Sequence, residues 1–485
     1  MRVAIIGAGP CGLAAAKYLH AEKAFGTITI FEQRDDVGGV WYYTQNNTTD
    51  VNFSIPHTKP NTSPEEPICT GRKGGKNSEE ETFEFLSPAY DLLETNIPHT
   101  LMNYSDRKFP ANTPLFPEHT LVKEYLRGYA EDIRSFISFQ TQVVNVSPLQ
   151  MGSQDTWKVT VRDLVTKNTS IHHFDAVVIA NGHYSDPYVP DIPGIEQWNR
   201  AYPGAITHSK FYRRPEEYRD KKVIIVGNSA SGIDLSVQIA NVSLRPLLIS
   251  EKNQETTVNT NPRLESVPEI VEFIIGDRAT VRFSDGRVER DIDHVIFCTG
   301  YLYSFPFFSQ LEGSPIVTDG KRPCNLYQHI FYHPRPTLAF VGLPQRIVPF
   351  PVSEAQVALI ARVFSRRLEL PPQKEMENWE TDWIANHGSG KSFNSLAFPL
   401  DADYINFLHD YSLQARQKEG LENEGHGKKP PYWGEKERWV RKMFPTIKLA
   451  SRELGNRRKE ITSLEALGFD FEQWKEENAA GKASL

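Results

Sequence analysis

Residues 221–236 read KKVIIVGNSASGIDLS: an apolar run, a turn carrying Gly227 and Gly232, and the start of a helix. Small and β-branched residues in an unbroken run suit a strand buried on both faces of a parallel sheet. Residues 1–19, MRVAIIGAGPCGLAAAKYL, repeat the same order at the head of the chain. One strand–turn–helix unit of this kind serves one nucleotide, so two in one chain call for chemistry that uses two. The fold expected is α/β, with two Rossmann-like dinucleotide-binding domains.

The first unit is the more complete. Gly7, Gly9 and Gly12 have the G-x-G-x-x-G spacing, preceded by the strand residues Val3 to Ile6 and followed by a helix from Cys11 to His20. Gly7 allows the tight turn, Gly9 lets backbone approach a pyrophosphate, and Gly12 lets helix pack closely on strand. Pro10 and Cys11 complete the loop, and the helix N-terminus favours the negative charge. A ribose-binding acid is expected roughly 20 residues on, and Glu32 in ITIFEQR fills that place. A carboxylate there accepts ribose hydroxyls and repels a 2′-phosphate, which fits FAD or NAD and not NADP. The residues that follow, QRDDVGGVW, carry Arg34, Gly38, Gly39, Val40 and Trp41. A glycine pair lets backbone lie against a flat ring or its ribityl chain, which favours FAD.

In the second unit Ser229 stands where the middle glycine would be, flanked by Asn228, Ala230 and Ser231. Serine is small enough for phosphate approach and adds a donor. The next strand, RPLLIS, ends at Ser250 and runs on through Glu251 and Lys252. Ser250 and Lys252 would suit a 2′-phosphate, and Glu251 would suit NAD. A nicotinamide dinucleotide is expected, with its phosphorylation left open by these residues.

The remaining composition excludes several classes. At 485 residues the chain is too long for one core. With 39% hydrophobic and 24% charged residues it is an ordinary globular sequence, and a net charge of −7 argues against a nucleic-acid partner. No apolar run approaches the roughly 18 residues of a membrane span, and Met1 leads directly into a strand, so a cytoplasmic protein without a membrane anchor is expected. Cys11, Cys69, Cys298 and Cys324 make no metal spacing and no CxxC pair. A metal site is therefore not expected.

Two further stretches, DAVVIANGHY and DHVIFCTGY, each run from an acid through an apolar strand to a polar–glycine pair, Asn181–Gly182 and Thr299–Gly300. Such strands return the chain from one nucleotide domain to the other. The expected division is a FAD domain in residues 1–183, an inserted nicotinamide domain in 184–298, and the rest of the FAD domain with a helical tail in 299–485. Residues 44–84 read as a polar excursion, exposed or partly disordered. The tail from Ser451 to Glu477 has helical spacing and mixed charge, which reads as a solvated surface helix or a face for a second subunit.

Between the two units stands AYPGAITHSKFY, in which Tyr202, Gly204, His208 and Tyr212 have the spacing [F/Y]-x-G-x-x-x-H-x-x-x-[F/Y]. Here the chain resembles the class B flavin-dependent monooxygenases, of the soluble fungal flavin-containing monooxygenase type. The resemblance also rests on GAGPCG, FEQRDDVGGVW, LETNIP, NGHY, GNSASG, FCTGYLYS, TLAFVGL and PFPVSEAQ. Tyr202 replaces the family's usual phenylalanine. Tyr212 stands where Baeyer–Villiger relatives carry tryptophan, which tilts the reading towards oxygenation of a heteroatom.

The resemblance implies FAD and NADPH as cofactors and activity of the N,N-dimethylaniline monooxygenase type. Reduced FAD adds O2 to form a C4a-hydroperoxide, NADP+ protects it, and a small nucleophilic amine or sulfide takes one oxygen. It further implies that Asn96 in LLETNIP lies beside the flavin and acts on the oxygen adduct or the nicotinamide, and that Val143 in TQVVNVS touches the adenine through its backbone. His208 would then set linker geometry and not act as an acid or base. The helix opened by PFPVSEAQ, with Ser353 near its N-cap, would point its positive end at the flavin pyrimidine. A Baeyer–Villiger or N-hydroxylating relative with a narrow substrate, and a non-oxygenating NADPH-binding flavoprotein, remain as alternatives.

Overall fold

The computed structural model describes residues 1–45, 53–73, 80–151, 154–252, 261–308 and 315–483. The strand Arg2–Ile6 lies inside a seven-stranded sheet, parallel to Thr27–Phe31 on one side and to Ala176–Ile179 on the other. Leu338–Phe340 adds in parallel beyond Ala176–Ile179, so this sheet takes strands from both ends of the chain. Val3 to Ile6 are buried, as the apolar run requires. The helix Pro10–Ala21 packs back on the sheet, and beside it runs the helix Pro349–Phe364, mostly apolar and almost wholly buried, its polar residues Glu354, Gln356 and Arg362 hydrogen-bonded inside.

That second helix begins differently from the sequence expectation. Its N-cap is Val348 and Pro349 opens the first turn, where a missing N–H costs nothing. Ser353 lies inside the helix and its hydroxyl donates to Phe350 O at 2.7 Å, so it caps nothing.

The other large sheet has five parallel strands in the order Ile206–His208, His294–Phe297, Val223–Val226, Leu247–Ser250, Leu264–Val267. All five fall within one stretch of the chain, between two strands of the first sheet. The chain leaves through Asp186–Pro187 and returns through Tyr301–Leu302, and these two crossings pair antiparallel as a ribbon.

The polar excursion is more ordered than expected. Phe53 and Ile55 pack on the core of the five-stranded sheet, and Ile68–Lys73 pairs with Glu80–Glu84 as a hairpin. Buried Asp186 organises the approach, facing His57 Nε2 at 2.7 Å and accepting Asn61 N at 2.7 Å and Asn61 Nδ2 at 2.9 Å. The rest of the excursion, 46–52 and 74–79, lies outside the described residues.

The tail also departs from expectation. It forms two helices, Glu435–Glu453 and Phe471–Ala483, with short 3-10 turns between them. Trp439, Phe471 and Trp474 cluster their rings, so one side of the tail is committed to this chain's own core.

Asp186 gives the first prediction. Asp186→Ala removes the acceptor for these donors and should lower stability by about 3 kcal/mol. Limited proteolysis should then cut first within residues 53–66; an unchanged melting temperature and cleavage pattern would show that the excursion is held by other contacts.

Candidate cofactor cleft

The two glycine turns are built alike. Gly7 N donates to Phe31 O and Gly227 N to Ser250 O, each at 2.9 Å. A Cβ on Gly12 would lie 1.8 Å from Gly7 O, and one on Gly232 would lie 1.9 Å from Gly227 O. Gly7 and Gly227 have φ of +102° and +103°, and a Cβ on either would strike the carbonyl of Ala180 or Cys298. Neither following helix, Pro10–Ala21 or Ala230–Ile239, has a side-chain cap, so both leave backbone donors for an anion.

The acids at the ends of the second strands differ in what they hold. Glu32 is buried and accepts Ala8 N at 2.7 Å and Arg34 N at 2.9 Å, tying the turn to the loop that follows. Burial raises its carboxyl above the ordinary range, against the opposing pull of Arg34. Glu251 is also buried and accepts Asn228 Nδ2 at 3.0 Å and the Ser266 hydroxyl. Ser250 is not available to a phosphate. It is buried, donates to Pro268 O and accepts from Ile270 N, because the sheet edge turns it inward. Lys252 is exposed and 3.6 Å from Glu269.

The structure fits a flavin dinucleotide at the first turn. A Cβ on Gly9 would meet Gly39 Cα at 3.4 Å, and one on Gly39 would lie 2.9 Å from Gly9 Cα. The two flavin motifs therefore close on each other backbone to backbone, with Val40 and Trp41 in the short 3-10 turn Gly39–Trp41. Val143 is buried on the strand Thr141–Met151, whose first residue donates to Glu32 O.

Two tyrosines lie between the turns. Tyr184, which follows the first return strand, is 44% exposed. Its electrostatic neighbour is Cys11 of the first turn. Tyr301 packs edge-on against Tyr184 with ring centroids 5.6 Å apart, and Cys298, beside Gly227, raises its phenol further. The Tyr184–Tyr301 pair thus lies between the turns, with Cys11 acting on one phenol and Cys298 on the other. Tyr184 and Tyr301 were not singled out in the sequence, although each directly follows a return-strand glycine pair or lies one residue beyond it.

His208 closes the ribbon between the sheets. Its Nδ1 accepts Lys210 N at 3.1 Å, so Nε2 carries the proton and donates to Gly300 O at 3.0 Å. Burial drives its basicity down to about 3, and the ring stays neutral. Tyr202 donates to Gly276 O and Tyr212 to Gln238 Oε1. Asn96 sits on an exposed bend, one residue after buried Thr95, and no contact places it beside the Tyr184–Tyr301 pair.

Two open sheets, each with its own glycine turn, define a protein built for two nucleotides. The Flavin-binding monooxygenase-like family matches residues 65–260 and 265–422, and an NAD(P)-binding Rossmann-like domain matches residues 5–63. The chain belongs to the flavin-binding monooxygenase family, and it binds FAD and NADPH. It is 34% identical to the flavin-containing monooxygenase FMO GS-OX-like 7 of Arabidopsis thaliana, over 84% of this chain and 83% of that one. It is 33% identical to the thiol-specific monooxygenase of Saccharomyces cerevisiae, over 77% and 78%. The structure of S-allyl-L-cysteine S-oxygenase from Allium sativum superposes with a TM-score of 0.73 at 29% identity, covering 96% of each chain. No helix of the described residues is long and apolar enough to cross a membrane.

The buried imidazoles give a pH prediction. Burial lowers His208 to about 3 and His183 and His329 to about 4. An unfolded chain takes up these protons near pH 6.5, so the fold has their full contribution above that pH and loses it as pH falls towards 4. Three such groups steepen the loss to as much as about 4 kcal/mol per pH unit. The urea midpoint should therefore drop sharply between pH 7 and pH 5; equal midpoints would mean that the histidines are protonated in the fold.

Proposed function

We propose that the protein uses NADPH and O2 to place one oxygen atom on the sulfur of a small thiol or thioether, with a soft amine nitrogen as the second choice. The observation that carries this is that the two nucleotide turns have an aromatic pair, Tyr184 and Tyr301, between them and no disulfide. All four cysteines are free, so no disulfide stands ready to accept electrons, and burial pushes the Cys11 and Cys298 thiols up to about 12, which withholds the nucleophilic thiolate. Electrons reaching the flavin would then pass to oxygen and not to a disulfide. The names of the yeast and garlic relatives support sulfur as the acceptor.

In this reading residues 1–183 and 299–485 hold FAD, and 184–298 hold NADPH. Gly7, Gly9, Pro10, Cys11 and Gly12 receive the FAD pyrophosphate, Glu32 its ribose, and Val143 its adenine. Gly39, Val40 and Trp41 lie along the flavin. Gly227, Asn228, Ser229, Ala230, Ser231 and Gly232 receive the NADPH pyrophosphate, and Lys252 meets the 2′-phosphate as the exposed cation at that edge. When bound, the flavin supplies hydride acceptance and oxygen activation. The chain's own part is to position the two rings and keep water out, with the Tyr184–Tyr301 pair between the turns. Asn96 offers its amide to the reacting edge.

Anaerobic mixing with NADPH should bleach the flavin. Oxygen should then yield sulfoxide or oxidised thiol from a sulfur substrate, and little product from a ketone. NADPH oxidation that produces only hydrogen peroxide across sulfides, thiols, amines and ketones would overturn the assignment.

Gly227→Val should leave FAD content and dithionite reduction intact while slowing reduction by NADPH; loss of FAD instead would mean the turns are assigned the wrong way round. Asn96→Ala should keep FAD and the reduction rate, and should raise peroxide at the expense of product. Loss of one preorganised donor costs about 3 kcal/mol, or roughly a hundredfold, at the step it serves. Unchanged product per NADPH would make Asn96 a turn residue only.

A further inference from the structure

The tail sends three cations back onto the nucleotide-binding halves. Lys448 and Arg452 lie one helical turn apart on Glu435–Glu453, and Arg458 follows in the 3-10 turn Gly455–Glu460. Lys448 Nζ donates to Thr95 O at 2.7 Å, directly before Asn96, and lies 4.3 Å from the centre of the Phe116 ring. Arg458 grips both carboxylate oxygens of Glu94, with its shortest contact at 2.7 Å. Arg452 Nη2 reaches the other half of the molecule, donating to Asp234 Oδ1 at 3.0 Å.

Asp234 belongs to the helix Ala230–Ile239 that the second turn opens. Its Oδ2 also accepts the Tyr90 hydroxyl and, at 3.0 Å, Gln238 Nε2. Gln238 in turn accepts the hydroxyl of Tyr212, whose ring meets Tyr90 edge-on with centroids 5.3 Å apart. One carboxylate therefore joins the nicotinamide-side helix, the segment leading to Asn96, and the tail.

Stability does not explain the arrangement. Arg452 and Asp234 are a third and a quarter exposed, and such pairs contribute little to folding. Lys448 is buried and burial lowers its amine to about 8, so holding it there opposes the fold. What these contacts specify is geometry. Lys448, Arg452 and Arg458 themselves lie beyond the residues that the family matches, which end at 422.

We propose that Lys448, Arg452 and Arg458 form a clamp that fixes the second-turn helix against the Tyr90–Asn96 segment, and so sets the distance between nicotinamide and flavin. These are positioning residues, since no contact joins any of them to Tyr184 or Tyr301. The proposal rests on the two-nucleotide reading above.

The test is rapid-mixing reduction of the full-length, FAD-loaded protein. Arg452→Gln should keep FAD content, dithionite reduction and the dissociation constant for NADPH. Its reduction rate at saturating NADPH should fall about tenfold, because slight misplacement of reacting groups costs up to roughly a hundredfold. Peroxide per NADPH should rise, Arg452→Lys should recover part of the rate, and Asp234→Asn combined with Arg452→Gln should be no slower than the worse single variant. A substitution that only loosened the fold would lower the melting temperature and leave the saturating rate of the folded holoenzyme unchanged, and that result overturns the clamp. If Arg452→Gln yields no holoenzyme, Arg452→Lys decides by the same rate and peroxide readings. Unaltered protein that NADPH cannot reduce would overturn the two-nucleotide reading itself, a failure distinct from a normal rate in Arg452→Gln.

Discussion

Two carbonyl oxygens, those of Gly7 and Gly227, set the terms for the rest of the molecule. Each lies under 2 Å from where a side chain would begin on the glycine five residues later. Only glycine at positions 12 and 232 lets each helix start directly over its strand, and that start aims backbone donors at a phosphate. Because the turns share this geometry, each sheet presents a nucleotide site at its carboxyl edge. The two-stranded ribbon through Asp186 and Tyr301 then joins the two sheets. His208 makes the ribbon definite. An imidazole that accepts a backbone N–H at one nitrogen and donates its one proton to a carbonyl at the other has a single orientation, which suits a joint.

The parts of the fold that depend on local spacing were legible in the sequence. The glycine triplet, the acid after the second strand, and the apolar runs of the buried parallel strands each follow from rules that operate within some thirty residues, so the two-domain α/β architecture could be read from them. The features that eluded the sequence were set by contacts across long separations. The excursion looked loose because its polar composition hides one buried acceptor, Asp186, and two apolar anchors, Phe53 and Ile55. Ser250 looked like a phosphate ligand by position, yet the neighbouring edge strand recruits it. The tail's charges looked solvated because their partners, Glu94, Thr95 and Asp234, lie hundreds of residues away.

The Tyr184–Tyr301 pair shows why the catalytic surface of such a protein is hard to read from sequence. It contains no acid, base or nucleophile that a spacing rule would select. Tyr184 and Tyr301 are ordinary aromatic residues until the ribbon brings them to 5.6 Å and the turns put Cys11 and Cys298 at either end. When a bound cofactor carries the chemistry, the protein contributes distance, orientation and dryness. Those are properties of the assembly of segments and not of a motif. The same logic governs the cysteines. Cys11 and Cys298 are free and already reduced, so neither takes electrons, and burial that withholds the thiolate also keeps them from acting as nucleophiles.

Rigidity within each half follows from packing, since the helix Pro349–Phe364 is surrounded by apolar contacts and each sheet has its own core. Between the halves apolar contacts, Phe53 and Ile55 on the second core and Tyr90 on Tyr212, are joined by contacts of another kind. They are hydrogen-bonded and partly charged: His208 to Gly300, Arg213 to Ala89 O, Tyr90 and Arg452 to Asp234. Apolar area holds surfaces together but lets them slide, because its energy changes slowly with register. Directional bonds fail within a fraction of an ångström or a few tens of degrees. A protein whose function depends on the separation of two flat rings gains little from more apolar contact at this junction. It gains from a few groups whose geometry admits one relative placement, and Asp234, shared by a glutamine of its own helix and by a tyrosine and an arginine from two distant segments, is such a group.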